Sequence, residues 1–519
     1  MADEDWVKTG IRGLDEILSG GIPRQNVILA EGAAGTGKTT LGVEFIYRGV
    51  VEFGEPGLIV LFEVSPEKVV RDSAALGWNL PELEESDRLK IIFTTREVFY
   101  REIQQADSLL LEEAQRIGAR RIFVDGFALM AAEPNGNGNR GAREQFHMFS
   151  EGLHREHLTA MISTEVPSLT EGPEASVPEE LVADTIIRLR LEPNHRAVQR
   201  SIEIIKSRGH DFVMGRHSFR IVDQIGIQVY RRVQAPRGAD RDKAGAFDTT
   251  VRLTTGVPGL DELVNGGYFP GSTTMVVGVS GVGKSVMALQ FMAEGVRRDQ
   301  RSLMLTLDEP APQVIRNASS LGYDFEPEMR RGMLDIWYEP PQEMDLDRHF
   351  YDIEQKVQSF QPKRVVIDSL STYGANLGAT GRIFRDFFHA LVALMKEHQV
   401  VAVYNHENPE MLGMSSMMGQ FALSSLVDNI LLMNWVELGD NFRLGMTVAK
   451  MRANRVRRTT REYEISAPGG VRILESETGA GIPVASFSRY YGLISRAPER
   501  RTASVLSGSA PPEDSVPTK

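Results

Sequence analysis

The chain has 519 residues, a formal net charge of −12 and no cysteine. This exceeds the roughly 100–200 residues of one domain, excludes disulfides and thiolate metal sites, and disfavours general binding to nucleic-acid backbones. No run approaches the ~18 apolar residues of a membrane span, and the acidic start Met1-Ala2-Asp3-Glu4-Asp5 lacks the basic and apolar regions of a signal peptide, so a cytoplasmic protein without membrane contact is expected.

In chain order, Thr9-Gly10-Ile11-Arg12-Gly13-Leu14-Asp15-Glu16 leads into Gly20-Gly21. An apolar run over 26–30, suited to a buried strand, then enters Gly32-Ala33-Ala34-Gly35-Thr36-Gly37-Lys38-Thr39, and a helix-like segment follows over 41–49. This is the G-x-x-x-x-G-K-[ST] phosphate loop. Its glycines let several N–H groups point at one phosphate, and the helix adds its positive N-terminal end. Gly35, Thr36, Gly37, Lys38, Thr39 and Thr40 are therefore candidate ATP-binding residues. Further strands are expected over 58–62, 121–124, 159–164 and 185–191, helices over 66–76 and 101–117, and a flexible loop over 135–139.

The second half repeats the plan. Thr255-Gly256-Val257-Pro258-Gly259-Leu260-Asp261-Glu262 leads into Gly266-Gly267, and Gly278-Val279-Ser280-Gly281-Val282-Gly283-Lys284-Ser285 lies between a strand-like run over 274–277 and a helix-like one over 286–295. Thr, Gly, Gly, Leu, Asp, Glu, Gly and Gly match the first opening at one constant offset, which Lys38 and Lys284 keep. This marks a duplicated domain, not a short-period solenoid. Ser280, Gly281, Val282, Gly283, Lys284 and Ser285 form the second candidate ATP loop. Domains are expected over 1–234 and 249–495, with a polar linker over 235–248 and a disordered Ser-, Pro- and charge-rich tail over 496–519. Alternating strands and helices predict an α/β fold of two tandem P-loop domains, each a mostly parallel, doubly wound sheet. Ligands then sit at the C-terminal ends of the strands.

An ATPase needs a carboxylate near Mg²⁺. Asp125 and Asp368 each end an apolar strand, and with the Thr39 and Ser285 hydroxyls they are the candidate metal residues. A base must orient water or a hydroxyl, and the candidates are Glu63 in the first half and Asp308 and Glu309 in the second. Aligning Gly77-Trp78 with Gly322-Tyr323 pairs Glu63 with Asp308 and Val64 with Glu309. Late in each half stand Lys206-Ser207-Arg208 and Lys450-Met451-Arg452. Strand alternation puts each Lys and Arg on one face, which suits a γ-phosphate held by a neighbouring subunit; Lys206, Arg208, Lys450, Met451 and Arg452 join the candidate ATP-binding residues.

These motifs, in order and in both halves, resemble the KaiC family of circadian clock ATPases and autokinases, built from tandem RecA-like P-loop domains, over about residues 5–465. The resemblance implies a double-ringed homohexamer with ATP between neighbouring subunits of each ring. It implies slow ATP hydrolysis in the N-terminal ring, and autophosphorylation and autodephosphorylation in the C-terminal ring. The family's acceptors are adjacent Ser and Thr before a T-D-T-I-I-L-L strand, and fall here on Ser424 and Ser425 of Ser424-Ser425-Leu426-Val427-Asp428-Asn429-Ile430-Leu431-Leu432. Aligning Asp184 with Asp428 puts Glu180 and Leu181 at those positions in the first half, so only the second half is expected to carry phosphate. Glu63-Val64 and Asp308-Glu309 stand where the family has paired glutamates. Val64 removes one carboxylate, and Asp308 is a methylene shorter than glutamate, which leaves Glu309 able to share or take over the base role. The Ser-Ser pair removes the basis for a fixed phosphorylation order. The segment after Ile465 departs from the family's C-terminal regulatory loop, which argues against a KaiA-type activator there, whereas a KaiB-type partner on the N-terminal ring follows from family analogy. The same fold also suits a DNA-dependent motor, which the acidic balance disfavours, and a signalling scaffold assembled by ATP.

Overall fold

The computed structural model describes residues 5–105, 108–127, 138–166, 183–194, 197–234, 250–341, 344–376, 381–407, 423–438, 441–454 and 459–475. Its contacts form two compact units. One comprises Met1–Lys243, Glu339–Gln361 and Asn376–Leu394; the other comprises Ala244–Tyr338, Pro362–Ala375 and Met395–Lys519. The linker expected over 235–248, the tail over 496–519 and positions 180 and 181 lie outside the described residues.

The first unit is built on a nine-stranded sheet in the order Gly226–Tyr230, Arg216–Val222, Ala197–Ser207, Thr185–Asn194, Val27–Gly32, Thr159–Glu165, Arg121–Asp125, Gly57–Leu61, Leu89–Phe93. Strands from Leu89–Phe93 across to Thr185–Asn194 run parallel, and the remaining three continue antiparallel. The central strand Val27–Gly32 is buried along its whole length, as a parallel strand covered on both faces must be. Alternation then separates two cores. Ile28 and Ala30 pack with Leu41, Phe45 and Ile46 of the helix Lys38–Phe53. Val27 and Leu29 pack on the other face with Phe99, Leu111, Phe149 and Leu153. The strands expected over 58–62, 121–124 and 159–164 form with ends shifted by one residue.

Two expectations need correction. The single helix over 101–117 is two helices, Arg96–Gln104 and Leu109–Ile117, because the Ser108 Oγ caps the second by accepting the Leu111 N–H at 3.1 Å. Of the loop over 135–139, Gly138 and Asn139 already belong to the helix Gly138–Arg155, and the rest lies outside the described residues. The first unit also includes the helix Leu346–Phe360, which packs on Arg216–Val222 and Gly226–Tyr230. Asp345 accepts the Ser218 hydroxyl at 2.8 Å and Asp347 accepts the Val233 N–H at 2.9 Å.

The second unit repeats the sheet: Leu334–Tyr338, Ser302–Thr306, Arg364–Asp368, Val401–Glu407, Thr273–Gly278, Asn429–Leu438, Asn441–Met451, Thr460–Ser466, Gly470–Ile473. Its core gathers Val276, Met287, Phe291, Met304, Val366, Val403, Leu431 and Met433. In both sheets the phosphate-loop strand is fifth of nine, and one strand separates it from the strand ending in Asp125 or Asp368. That spacing decides which side chains meet at the strand ends.

Candidate nucleotide sites

Each phosphate loop turns through left-handed glycines: Gly35 at φ +78° and Gly37 at +109°, Gly281 at +82° and Gly283 at +92°. Side chains rarely adopt such angles. Gly37 and Gly283 cap the helices Lys38–Phe53 and Lys284–Arg297, so free backbone N–H groups face each loop. The Lys38 Nζ donates to the Gly32 and Ala33 carbonyls at 2.8 and 2.9 Å, and the Lys284 Nζ to Gly278 and Val279 at 2.9 and 2.7 Å. Burial pulls the Lys38 pKa down, against the opposing pull of Glu165 and Asp125. Burial does the same to Lys284, opposed by Glu407 and Asp368. The register explains the match, since Gly32 lies opposite Glu165 and Gly278 opposite Glu407.

In the first site the Thr39 hydroxyl donates to both Asp125 carboxylate oxygens, at 3.1 and 2.9 Å. Asp125 also accepts the Ser163 hydroxyl at 2.6 Å, and the Ser163 Oγ accepts the Gly126 N–H at 2.8 Å. Glu63 is exposed and ion-paired with Arg96, whose Nε donates to the Gly126 carbonyl at 2.9 Å. Val64 packs against the core. The Thr36 side chain is buried and donates to the Ala33 carbonyl at 2.9 Å, while Thr40 is half-buried on the helix.

In the second site burial raises the Asp368 carboxyl. Hydrogen bonds from Ser285 and Asn405 oppose this, and the nearby charges of Asp308 and Glu309 add to it. Both Asp308 oxygens accept the Thr372 hydroxyl, at 2.9 and 3.0 Å. The Glu309 carboxylate accepts the Asn317 amide at 3.0 Å, and Glu309 lines a pocket of about 180 Å³ with Ser285, Leu289, Met304 and Val314. Burial, with the Lys284 charge second, lowers His406 to about 4, so the imidazole beside the loop is neutral at pH 7. Ser280 and Gly281 are exposed, whereas the Val282 side chain is in the core and its carbonyl accepts the Tyr463 hydroxyl at 2.6 Å.

Ser424 and Ser425 occupy a single helical turn, Leu423–Ser425. The Lys450 Nζ donates to the Ser424 and Val427 carbonyls at 2.6 and 2.7 Å. The Arg452 guanidinium donates to the Ser425 carbonyl at 2.7 Å and to Asp428 at 3.2 Å. The first half has the same arrangement: Lys206 donates to the Ala183 carbonyl at 2.7 Å and Arg208 to Asp184 at 3.4 Å. Both basic pairs therefore hold the residues that lead into the neighbouring strand of their own chain. The Met451 side chain between them is buried in the core.

A family model described as "ATPase: KaiC" matches residues 7–234 and again 253–478. The chain belongs to the KaiC ATPase family. Circadian clock oscillator protein KaiC of Picosynechococcus sp. is 31% identical over 504 residues, covering 95% of this chain and 92% of that one. The protein of the same name from Thermosynechococcus vestitus is 31% identical over 508 residues, covering 96% and 93%. Circadian clock oscillator protein KaiC 1 of Synechocystis sp. is 30% identical over 504 residues, covering 95% and 92%. The two geometric sites thus coincide with two tandem KaiC-type ATPase domains. Among the described residues no helix is long and apolar enough to cross a membrane.

The structure brings Lys38, Thr39 and Asp125 together with Glu63 nearby, and Lys284, Ser285 and Asp368 with Asp308 and Glu309. Sequence reading missed Ser163, Arg96, Thr372 and Asn317, which hold the carboxylates. It also missed Glu165 and Glu407, which end the strands that pair with the two phosphate-loop strands. Among the described residues no group of three or more His, Cys, Asp or Glu is arranged to hold a metal ion by itself. The donor sets, one hydroxyl and one carboxylate per site, fit Mg²⁺, which takes few protein oxygens and fills its shell with phosphate and water.

Proposed function

We propose that this KaiC-family chain is an ATP-dependent double-ring protein, a cytoplasmic homohexamer acting as a clock-like or signalling timer. In this reading the first halves hydrolyse ATP, and the second halves phosphorylate and dephosphorylate Ser424 and Ser425. The relatives named circadian clock oscillator proteins support the timer role. The observation that carries the kinase assignment is the Ser424-Ser425 turn held in place by Lys450 and Arg452, where the first half aligns Glu180 and Leu181, without hydroxyls.

Thr39 with Asp125, and Ser285 with Asp368, would hold Mg²⁺ against the phosphates, where the ion neutralises charge on the transferring group. Lys38 and Lys284 exchange their loop carbonyls for phosphate oxygens. In the first half Glu63 orients the attacking water, and Arg96 keeps the carboxylate in place. In the second half the serine oxygen attacks the γ-phosphorus, ADP leaves, and Asp308 accepts the serine proton. Asp308 takes this role because it aligns with Glu63, the base of the first half, while Glu309 is engaged by the Asn317 amide. Lys450 and Arg452 carry the acceptor turn towards the nucleotide of the next subunit and add positive charge there, as Lys206 and Arg208 do in the first ring. Each phosphate brings about −1.5 to −2 charges to a subunit interface, a change that a KaiB-type partner on the N-terminal ring could read through loosened packing.

Intact-mass measurement of purified protein with Mg-ATP tests the reading. One or two added phosphates, mapped to Ser424 and Ser425, are expected. No phosphate on either serine would remove the kinase assignment and leave the ATPase.

A further inference from the structure

The Asp308 carboxylate ends a chain of hydrogen bonds whose direction is determined. The Thr372 hydroxyl donates to both Asp308 oxygens, at 2.9 and 3.0 Å. The Ser369 Oγ lies 3.0 Å from the Thr372 Oγ1 and 3.2 Å from the Ser371 Oγ. The Ser371 Oγ accepts the backbone N–H of Glu407 at 2.9 Å. A hydroxyl carries one proton. With the Thr372 proton committed to Asp308, Ser369 must donate to Thr372, and Ser371 to Ser369. The Glu407 amide can only donate, so the order runs Glu407 N–H, Ser371, Ser369, Thr372, Asp308 and cannot reverse without losing a bond.

The relay joins three strand ends of the site. Ser369 directly follows Asp368, Glu407 lies opposite Gly278 of the phosphate loop, and Asp308 follows the strand Ser302–Thr306. Hydrogen bonds in series polarise one another, and a backbone amide at the far end anchors the whole set. The two halves differ here: Glu63 is held by the Arg96 guanidinium and Asp308 by a neutral hydroxyl. An aspartate reaches one methylene less far than a glutamate, so its carboxylate depends more on what holds it.

We propose that Thr372 is a positioning residue that, at the end of this hydroxyl relay, sets the Asp308 carboxylate to receive the serine proton and offsets its short side chain. This rests on the base role assigned to Asp308 above. The test uses full-length protein carrying Thr372→Val, which keeps the shape and removes the hydroxyl, and Thr372→Ser, which keeps the hydroxyl. Single-turnover phosphate incorporation is followed over a range of Mg-ATP concentrations. Thr372→Val should slow the step about tenfold to a hundredfold, the weight of a hydrogen bond to a charged group, with half-saturating ATP unchanged. Thr372→Ser should restore most of the rate, and Ser371→Ala should give a smaller loss. A wild-type rate in Thr372→Val, or equal losses in the Val and Ser variants, would overturn the proposal. If wild-type protein takes up no phosphate, the kinase reading fails separately. The second-half ATP turnover that remains in Glu63→Gln protein then becomes the readout. Slower turnover on adding Thr372→Val supports the relay; unchanged or absent turnover overturns it.

Discussion

The Lys450 ammonium donates to the Val427 carbonyl at 2.7 Å, and Lys206 makes the matching contact with Ala183 at 2.7 Å in the other half. In each unit a lysine of a sheet strand thus holds the residues that lead into the neighbouring strand. In the second unit the same ammonium also donates to the Ser424 carbonyl at 2.6 Å, in the turn that carries the candidate phosphoacceptors.

Lys450→Met keeps the apolar stem and removes the donor. Phosphate incorporation on Ser424 and Ser425 should fall about tenfold, the weight of charged hydrogen bonds to the turn, while equilibrium ATP binding by the second half changes much less. Quantitative phosphopeptide mass spectrometry checks this. Full incorporation in the variant would show that the turn does not need its lysine.

Glu63→Gln should lower steady-state ATPase by about 10²–10⁴-fold, the usual loss of a positioned base, with ring assembly kept. Arg96→Gln, which frees Glu63 from its ion pair, should give a smaller loss in the same direction. Phosphate release assays decide, and unchanged turnover in Glu63→Gln would move hydrolysis to the second half.

Hexamers should require ATP. Lys38→Ala and Lys284→Ala each remove the ammonium from one loop, and each should abolish nucleotide retention by its own half. Native mass spectrometry with and without ATP reads both effects; a monomer under both conditions would exclude the ring.

Gly42 lies in the interior of the helix Lys38–Phe53, where alanine is ordinarily the better residue by about 0.5–1 kcal/mol. A Cβ there would lie 1.9 Å from the Phe123 ring. Gly42→Ala should therefore destabilise the first unit by about 1–3 kcal/mol, the range for an overpacked core. A raised or unchanged denaturation midpoint would show that the ring moves aside at little cost.

Burial raises the Asp347 carboxyl from 3.8 to about 7, with Asp345 adding and the Val233 and Ser218 N–H groups and Arg232 opposing. The folded chain therefore binds this proton more tightly than the unfolded chain. The associated stability is full below about pH 4 and is lost as pH rises through about 7. Between about pH 4 and 7 the unfolding midpoint of the wild type should fall relative to that of Asp347→Asn, which cannot titrate, and above about pH 8 the two should run parallel. Parallel pH dependence in the two proteins would contradict this.

The phosphate loops, the duplication and the two strand-ending aspartates were legible in the sequence because each is local. A phosphate is bound by consecutive N–H groups and the helix that follows them, so the whole device fits in eight consecutive residues such as Gly32 to Thr39. The buried parallel strands were legible too, since the runs Val27 to Ala30 and Met275 to Val277 are apolar on both faces. The break at Ser108 was less visible, because the apolar period continues across it and only one side-chain cap divides the helices. The partners of the carboxylates could not be read in the same way. Ser163 reaches Asp125 because its strand lies between the phosphate loop and the Asp125 strand, Arg96 meets Glu63 from a later helix, and Thr372 reaches Asp308 from 64 residues away. Such pairs depend on strand order and register, which close only when distant segments pack. The local motifs therefore placed the candidate phosphate and metal ligands along the chain, and only tertiary packing decided what holds each candidate carboxylate.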